Sequence, residues 1–302
     1  MPTFSLTAIN VGTFNLGEAD KIITLFSREK GIHRAVAKGA RKPGARISGK
    51  SELLNVNRLL LAKGKNLDII TQCENIETFA NLRHDLTRLT YALYYAELTQ
   101  VFGPGLADES ERYFDRLCLS MGLMAASGRD PALLCLEFEF ALLQMLGIKP
   151  ELNFCVGCRD PLTEKNLTAF NYELGGLVCQ KCFHRMRRLA AASEIVEEEA
   201  EEYAIESQEE NIRLGLAARS GARSEAMDGQ RTNVYVTPLV WKRMVLANIG
   251  SEQIDMEINP NQPQDARALV GATVAARRVM QSYIEYKAGK RMRALDLLAD
   301  LI

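Results

Sequence analysis

Four cysteines in two pairs constrain this 302-residue chain more than any other feature. Cys155 and Cys158 form one C-x-x-C, Cys179 and Cys182 a second, and 20 residues separate the pairs. Each knuckle bends tightly enough to aim two sulfurs at one point, and two knuckles at this spacing complete the four-thiolate shell of a structural Zn2+ site. Such a shell leaves no open coordination position, so one zinc ion would staple the chain rather than activate water. The intervening segment suits a ribbon: 169–174 (AFNYEL) reads as a strand, and Gly175-Gly176 as the turn that returns Cys179 toward Cys155. Lys181, Arg185, Arg187 and Arg188 follow at once and are expected to offset the charge of the thiolates.

Cys73, Cys118 and Cys135 stand alone in apolar surroundings, where a thiol behaves as a small buried hydrophobe. A total of seven is odd, which suits a reducing compartment better than a disulfide framework. The opening residues lack the charged start and apolar core of a signal peptide. No apolar run approaches the ~18 residues that would span a bilayer. The expectation is a cytoplasmic protein with no membrane partner.

A net charge of −1 hides a strong asymmetry. Residues 28–65 hold eleven lysines and arginines against Glu29 and Glu52, whereas residues 194–210 hold nine glutamates and no cation. A concentrated positive patch is the footprint of a polyanion partner. Within it, Arg34, Lys38, Arg41, Lys42, Arg46 and Lys50 are the candidate nucleic-acid-binding residues. The glutamate run reads as a solvated linker, with internal mimicry of a polyanion as the alternative.

The pattern of elements predicts a multidomain α+β protein: an N-terminal five-stranded OB-fold barrel, then an α-helical domain carrying a four-cysteine zinc ribbon. Residues 1–80 contain five short β-branched or apolar runs bounded by turn chemistry, at Leu6–Thr13, Ala19–Phe26, Ile32–Ala37, Leu53–Lys63 and Leu67–Ile76. These fit a Greek-key OB barrel, although an SH3-like barrel gives a similar spacing. Helical periodicity governs residues 81–150, where Leu82, Leu86, Leu89, Leu93 and Val101 fall near one face. Residues 131–146 are apolar nearly all round and form the expected centre of that domain. The zinc segment occupies 151–190, and 191–231 is an acidic segment without sustained periodicity, expected to be disordered. Residues 232–302 supply C-terminal helices that pack on the helical domain. The last of them is expected to turn Arg277, Arg278, Gln281, Ser282 and Glu285 outward.

Gly44–Ser51 satisfies the phosphate-loop pattern G-x-x-x-x-G-K-[ST] in full. That loop cradles phosphates only between an apolar strand and a helix N-terminus. Here a basic loop precedes it and a strand follows, so it reads as a flexible basic loop that approaches nucleic-acid phosphates. A deaminase would need a histidine-x-glutamate element beside the cysteines, and the three histidines, His33, His84 and His184, are scattered. Nothing in the pattern supports bond-making chemistry, and no enzyme is expected. Phe14, in the first turn, has two readings: a base-stacking aromatic or a core residue at the barrel rim.

This order of parts resembles the RecO family of bacterial recombination mediators. The residues that carry the resemblance are Gly17–Phe26 (GEADKIITLF), Gly31–Lys42 (GIHRAVAKGARK), Phe138–Leu143, Pro150–Leu152, Gly175–Cys179 and Tyr283–Asp296. The resemblance implies an ATP-independent role in DNA repair and homologous recombination. Such proteins bind single- and double-stranded DNA and anneal complementary strands. With RecR, and often RecF, they load RecA on strands coated by single-strand-binding protein. In some members, basic residues just before the Phe-Glu of the central helix hold the acidic tail of that protein. Leu136 and Glu137 stand there in this chain, and Arg112 and Arg116 are the candidate substitutes. An RNA- or ribosome-associated adaptor with a zinc ribbon and an OB domain is the rival class.

Overall fold

The computed structural model describes residues 2–126, 128–189, 232–249 and 263–296. The acidic segment 191–231 lies outside the described residues. The chain divides into two units, residues 1–149 with 242–302 and residues 150–241.

The first unit opens with five strands, β1 (Thr3–Leu16), β2 (Asp20–Ser27), β3 (Gly31–Ala37), β4 (Val56–Ala62) and β5 (Asp68–Glu77). They close into a barrel in the order β1-β2-β3-β5-β4, with β4 returning to β1. All pairings are antiparallel except β3 with β5, which is the OB arrangement. Alternate residues turn inward along each strand, and Leu6, Ala8, Ile23, Leu25, Ala35, Ala37, Leu59, Leu61 and Ile70 fill the interior. Gly12 sits where the β1–β2 register shifts. A Cβ there would come within 2.8 Å of Gln100 Oε1, so glycine lets the Gln100 amide reach the Val11 carbonyl at 2.7 Å.

Three helices follow, α1 (Leu86–Phe102), α2 (Ser110–Ala125) and α3 (Pro131–Met145). Asp85 and Asp130 cap α1 and α3 by accepting the N–H groups of Arg88 and Ala132, which satisfies donors that a helix start leaves free. The α3 segment is central, as its composition predicts: Leu133–Phe140 is buried without a break. The buried face of α1 differs from the leucine stripe expected from periodicity. Leu82 precedes the helix in a 3-10 turn, Leu86 is 55% exposed, and Tyr91, Tyr94, Tyr95 and Leu98 point inward. The tyrosines bring more area, and α3 completes their contacts: Tyr95 stacks on Phe138 at 4.0 Å between centroids, and the Tyr94 hydroxyl donates to Glu139 at 2.8 Å.

The chain returns in α5 (Pro238–Ile249) and α6 (Pro263–Ala288). The α6 helix packs on α3, and its basic side is not all outward. Arg278 is exposed, but Arg277 is buried over the Tyr91 ring, 5.6 Å from its centroid. An aromatic face and the buried Glu139 carboxyl give a guanidinium favourable partners there. Beyond α6, Glu97 accepts the backbone N–H groups of Arg293 and Ala294 at 2.9 and 2.8 Å, while Met292 and Leu295 are buried. Among the described residues, no helix is long and apolar enough to cross a membrane.

The second unit is built on a hairpin, β6 (Leu167–Asn171) and β7 (Gly176–Cys179), joined by the predicted turn, with Gly175 at φ +68°. A helix over 180–189, α4, runs on from β7. A third strand, β8 (Asn233–Tyr235), adds to β6 through Ala169–Tyr235 and Asn171–Asn233 pairs. No sequence pattern marks it, because three residues are too few for a periodicity.

Candidate nucleic-acid interface and metal centre

The long β3–β4 connection carries most of the predicted basic residues, and it is built rather than loose. Successive turns run from Gly39 to Ser51, with Lys42 N–H on the Gly39 carbonyl, Ala45 N–H on Lys42 and Ser48 N–H on Ala45. Three asparagines hold its far end: Asn10 and Asn57 donate to the Lys50 carbonyl at 3.0 Å, and Asn55 to the Gly49 carbonyl at 2.8 Å. Its near end is tied to the β1–β2 hairpin. Gly39 N–H reaches Asp20 at 2.8 Å, Arg41 N–H reaches the Ala19 carbonyl at 2.9 Å, and the Arg41 guanidinium donates to the Gly17 carbonyl. The flexible loop expected from composition is therefore an ordered platform, because buried side-chain amides take up its backbone groups.

Not every cation of the 28–65 stretch is available. Arg28 pairs with Glu111 and Asp115 on α2, Arg58 with Glu74, and Lys63 with Asp68. Lys30 lies over the Phe4 ring at 4.2 Å. Lys50, expected among the DNA-binding residues, directs its ammonium to the Cys73 carbonyl at 2.6 Å. Arg34 on β3 and Lys38, Arg41, Lys42 and Arg46 on the platform are all exposed and form no ion pair among the described residues. Five of the six basic residues singled out in the sequence are thus exposed and unpaired by acids, and one of them, Arg41, also donates to the Gly17 carbonyl.

Phe14 opposes Ile22 across the β1–β2 hairpin and is 71% exposed, so of its two readings the rim-core one fails. Leu16, opposite Asp20, is also exposed. The hairpin that shows these apolar side chains is the one tied to the basic platform.

The Walker-like string lies between barrel strands. Gly49–Ser51 forms a single 3-10 turn that leads into β4, so no helix N-terminus is offered to a phosphate. His33 lies 3.1 Å from Asp68 and makes no dyad with another histidine.

A cleft of about 460 Å3 opens on the helical part of the first unit, lined by Arg112, Arg116, Leu119, Phe140, Met145 and Ile249 among others. It brings Arg112 and Arg116 together. Arg112 pairs with Glu109 at 3.6 Å, whereas the buried Nε of Arg116 has no hydrogen-bond partner among the described residues. Glu137 also lines the cleft, and Arg129 holds its carboxylate at 2.8 Å.

In the second unit, the sulfurs of Cys155, Cys158, Cys179 and Cys182 all lie within 4.8 Å of one another and could hold a metal ion. Arg159 at φ +65° turns the first knuckle, with its N–H on the Cys155 carbonyl at 2.8 Å. Cys155 Sγ accepts the N–H groups of Cys179 at 3.2 Å and Gly157 at 3.4 Å. Burial pushes the Cys155 thiol up, but these backbone donors outweigh it and bring the thiol to about 7. Glycine at 157 leaves room for the sulfur, since a Cβ there would sit 3.0 Å from Cys182 Sγ. Four converging sulfurs with amide donors are what a thiolate-bound metal requires. Of the four cations expected to offset the cluster, Arg185 reaches a sulfur, that of Cys182 at 3.6 Å.

Comparison with known proteins agrees in both halves. Residues 1–79 match the family described as Recombination protein O N terminal, and residues 83–196 the family described as Recombination protein O C terminal. A DNA repair protein RecO of Symbiobacterium thermophilum is 37% identical over 183 residues, covering 60% of this chain and 72% of its own. That of Gloeobacter violaceus is 38% identical over 187 residues, covering 61% of this chain and 70% of its own. A third, from Pelotomaculum thermopropionicum, is 37% identical over 182 residues, 60% of this chain and 69% of its own. With an OB barrel, a helical domain, a four-cysteine cluster and these matches across both family segments, the chain belongs to the RecO family of DNA repair proteins.

Proposed function

We propose that this chain is a recombination mediator that binds single- and double-stranded DNA, anneals complementary strands without ATP, and acts with RecR, and RecF where present, to load RecA on strands coated by single-strand-binding protein. The observation that carries this reading is the ordered basic platform, with Arg34, Lys38, Arg41, Lys42 and Arg46 exposed and unpaired by acids beside an exposed Phe14. Bringing two polyanions together requires neutralised phosphate and released counterions. That needs no bond-making residue, and the reading assigns none. Phe14 stacks on an unpaired base, which favours single strands over duplex.

One Zn2+ held by Cys155, Cys158, Cys179 and Cys182 staples the second unit. Its chemistry is structural, since four thiolates saturate a tetrahedral ion. The Arg112–Arg116 cleft, lined also by Asp115 and Glu137 and apolar at Phe140 and Met145, takes the acidic tail of single-strand-binding protein through its two arginines.

The test is annealing of complementary labelled strands, bare and coated, with and without RecR and without nucleotide, alongside binding to a structured RNA. Faster annealing of bare strands, extended to coated strands by RecR, is expected. A chain that binds structured RNA more tightly than DNA and leaves annealing at the uncatalysed rate sinks the proposal and favours an RNA-side adaptor. A peptide of that acidic tail should bind the parent and bind Arg116→Ala at least fivefold more weakly.

A further inference from the structure

The second unit carries more positive charge than its metal cluster uses. The α4 segment, 180–189, has four cations and no acid. Arg185 turns back to the cluster, within 3.6 Å of Cys182 Sγ and 3.5 Å of the Gly157 carbonyl. Lys181, Arg187 and Arg188 are exposed and make no ion pair or hydrogen bond among the described residues, and His184 is exposed with them. At about 100° per residue, His184, Arg188 and Lys181 fall in the middle of the exposed arc, with Arg187 on its Phe183 side.

An aromatic ring stands on that same side. Tyr235, at the end of edge strand β8, is 68% exposed. Its ring lies 5.1 Å from the ring of Phe183, tilted by 59°. Phe183 is itself buried, so one flank of the tyrosine is seated on the core while the rest is open. A ring held this way gives up little freedom when a base stacks on it. Cations that track a backbone beside such a ring are the two elements by which proteins bind single strands without reading sequence.

We propose that α4 and the Tyr235 end of β8 form a second single-stranded nucleic-acid surface, built from residues other than those of the barrel platform. Lys181, Arg187 and Arg188 contact phosphates, and Tyr235 stacks on a base. This deepens the proposed function and rests on it for the choice of a polyanion as ligand. Two strand sites on one chain would let the barrel hold one strand while the ribbon presents the other. Annealing should then depend on α4 more steeply than affinity for one strand does.

The experiment uses the full chain in its metal-loaded form and an oligothymidylate of about 30 nucleotides, long enough for two sites. Lys181→Glu with Arg188→Glu should weaken binding about tenfold. The same pair should make the log–log salt dependence shallower by about 1.4, from ~0.7 for each of two lost contacts, and should slow annealing further. Arg185 is left in place because it touches Cys182. Tyr235→Ala should lose about fivefold in affinity, while Tyr235→Phe keeps parental binding. Photocrosslinking to iodouridine-substituted strands should mark a peptide containing α4 or β8. If both variants bind and anneal as the parent and crosslinks map to the barrel alone, the second surface does not exist. Platform variants run in parallel separate the two readings. Loss confined to the platform variants overturns this proposal alone, and loss confined to the α4 variants overturns the barrel assignment alone.

Discussion

Lys50 donates its ammonium to the backbone carbonyl of Cys73 at 2.6 Å, from a 3-10 turn to strand β5 across the barrel wall. Its own carbonyl accepts two buried asparagine amides. The lysine of the Walker-like string is thus a structural strut, and its partner is a peptide oxygen rather than a phosphate. Calorimetric titration with Mg-ATP should be flat. Lys50→Ala should instead lower stability by about 1.5–3 kcal/mol, the range for a hydrogen bond from a charged group. Saturable micromolar nucleotide binding abolished by that substitution would reverse the assignment.

The platform should bind DNA as a charged track. Arg34 aside, Lys38, Arg41, Lys42 and Arg46 give about four phosphate contacts, hence a log–log salt slope of about −3 on single strands at ~0.7 per contact. Arg41→Glu with Lys42→Glu and Arg46→Glu should weaken single- and double-stranded binding alike and slow annealing. The barrel should survive, because the side chains of Lys42 and Arg46 are exposed and pair with no acid, and Arg41→Glu gives up one bond, to the Gly17 carbonyl, while the Arg41 N–H keeps the Ala19 carbonyl. Anisotropy across a salt series, with circular dichroism as the folding control, decides this. Parental affinity at physiological salt in the triple variant would exclude the platform.

Glu139 predicts a pH dependence of stability. Burial pushes its carboxyl up to about 7 from 4.5, against the opposing pulls of Arg277 and the Tyr94 hydroxyl. A group whose folded value is raised binds its proton more tightly in the native state. Its contribution is complete below about 4.5 and is lost as pH rises through about 7. Glu139→Gln, which keeps an acceptor for Tyr94, should remove that loss. Urea unfolding from pH 5 to 8 should show the parent falling relative to the variant by about 1–3 kcal/mol and levelling above pH 7. A difference independent of pH would mean that Glu139 stays charged throughout.

The sequence made the barrel legible because its strands are short β-branched or apolar runs separated by glycine-bearing turns, and the cluster legible because its doubled spacing is rare. What it hid was pairing. Eleven cations in residues 28–65 look equivalent in a string, yet Arg28 is drawn to Glu111 and Asp115, 83 and 87 residues away. Arg277 looked like a surface residue because its helix face is polar, and only the distant Tyr91 and Glu139 make its burial tolerable. Phe14 was ambiguous for the converse reason, since exposure at a hairpin tip depends on how far β1 runs beyond the barrel. The strand β8 was invisible, being three residues long and paired with β6 from more than sixty residues away.

The cysteine cluster predicts a reactivity pattern as well as a metal content. Protein purified without chelator should contain one zinc per chain. Metal affinity should fall as pH drops, because protons compete for the thiolates. The other three cysteines are protected differently: burial pushes Cys73 up to about 11 and Cys118 up to about 12, and Cys135 is fully buried. In the loaded protein, all seven thiols should therefore label slowly at neutral pH. Chelation should release Cys155 first, because its amide donors hold it near 7, whereas Cys158 and Cys182 are pushed up among the neighbouring sulfurs. Cys155→Ser should lose the metal and loosen residues 150–189, seen as new proteolytic cuts there, while urea unfolding of the barrel and helices stays near parental. Gly157→Ala should weaken zinc retention without removing a ligand, since its Cβ would press on Cys182 at about 3.0–3.1 Å. Mass spectrometry of the alkylated peptides gives the order directly. Protein purified without chelator that holds no metal, and whose Cys155 labels no faster than Cys73 and Cys118, would rule out the structural zinc.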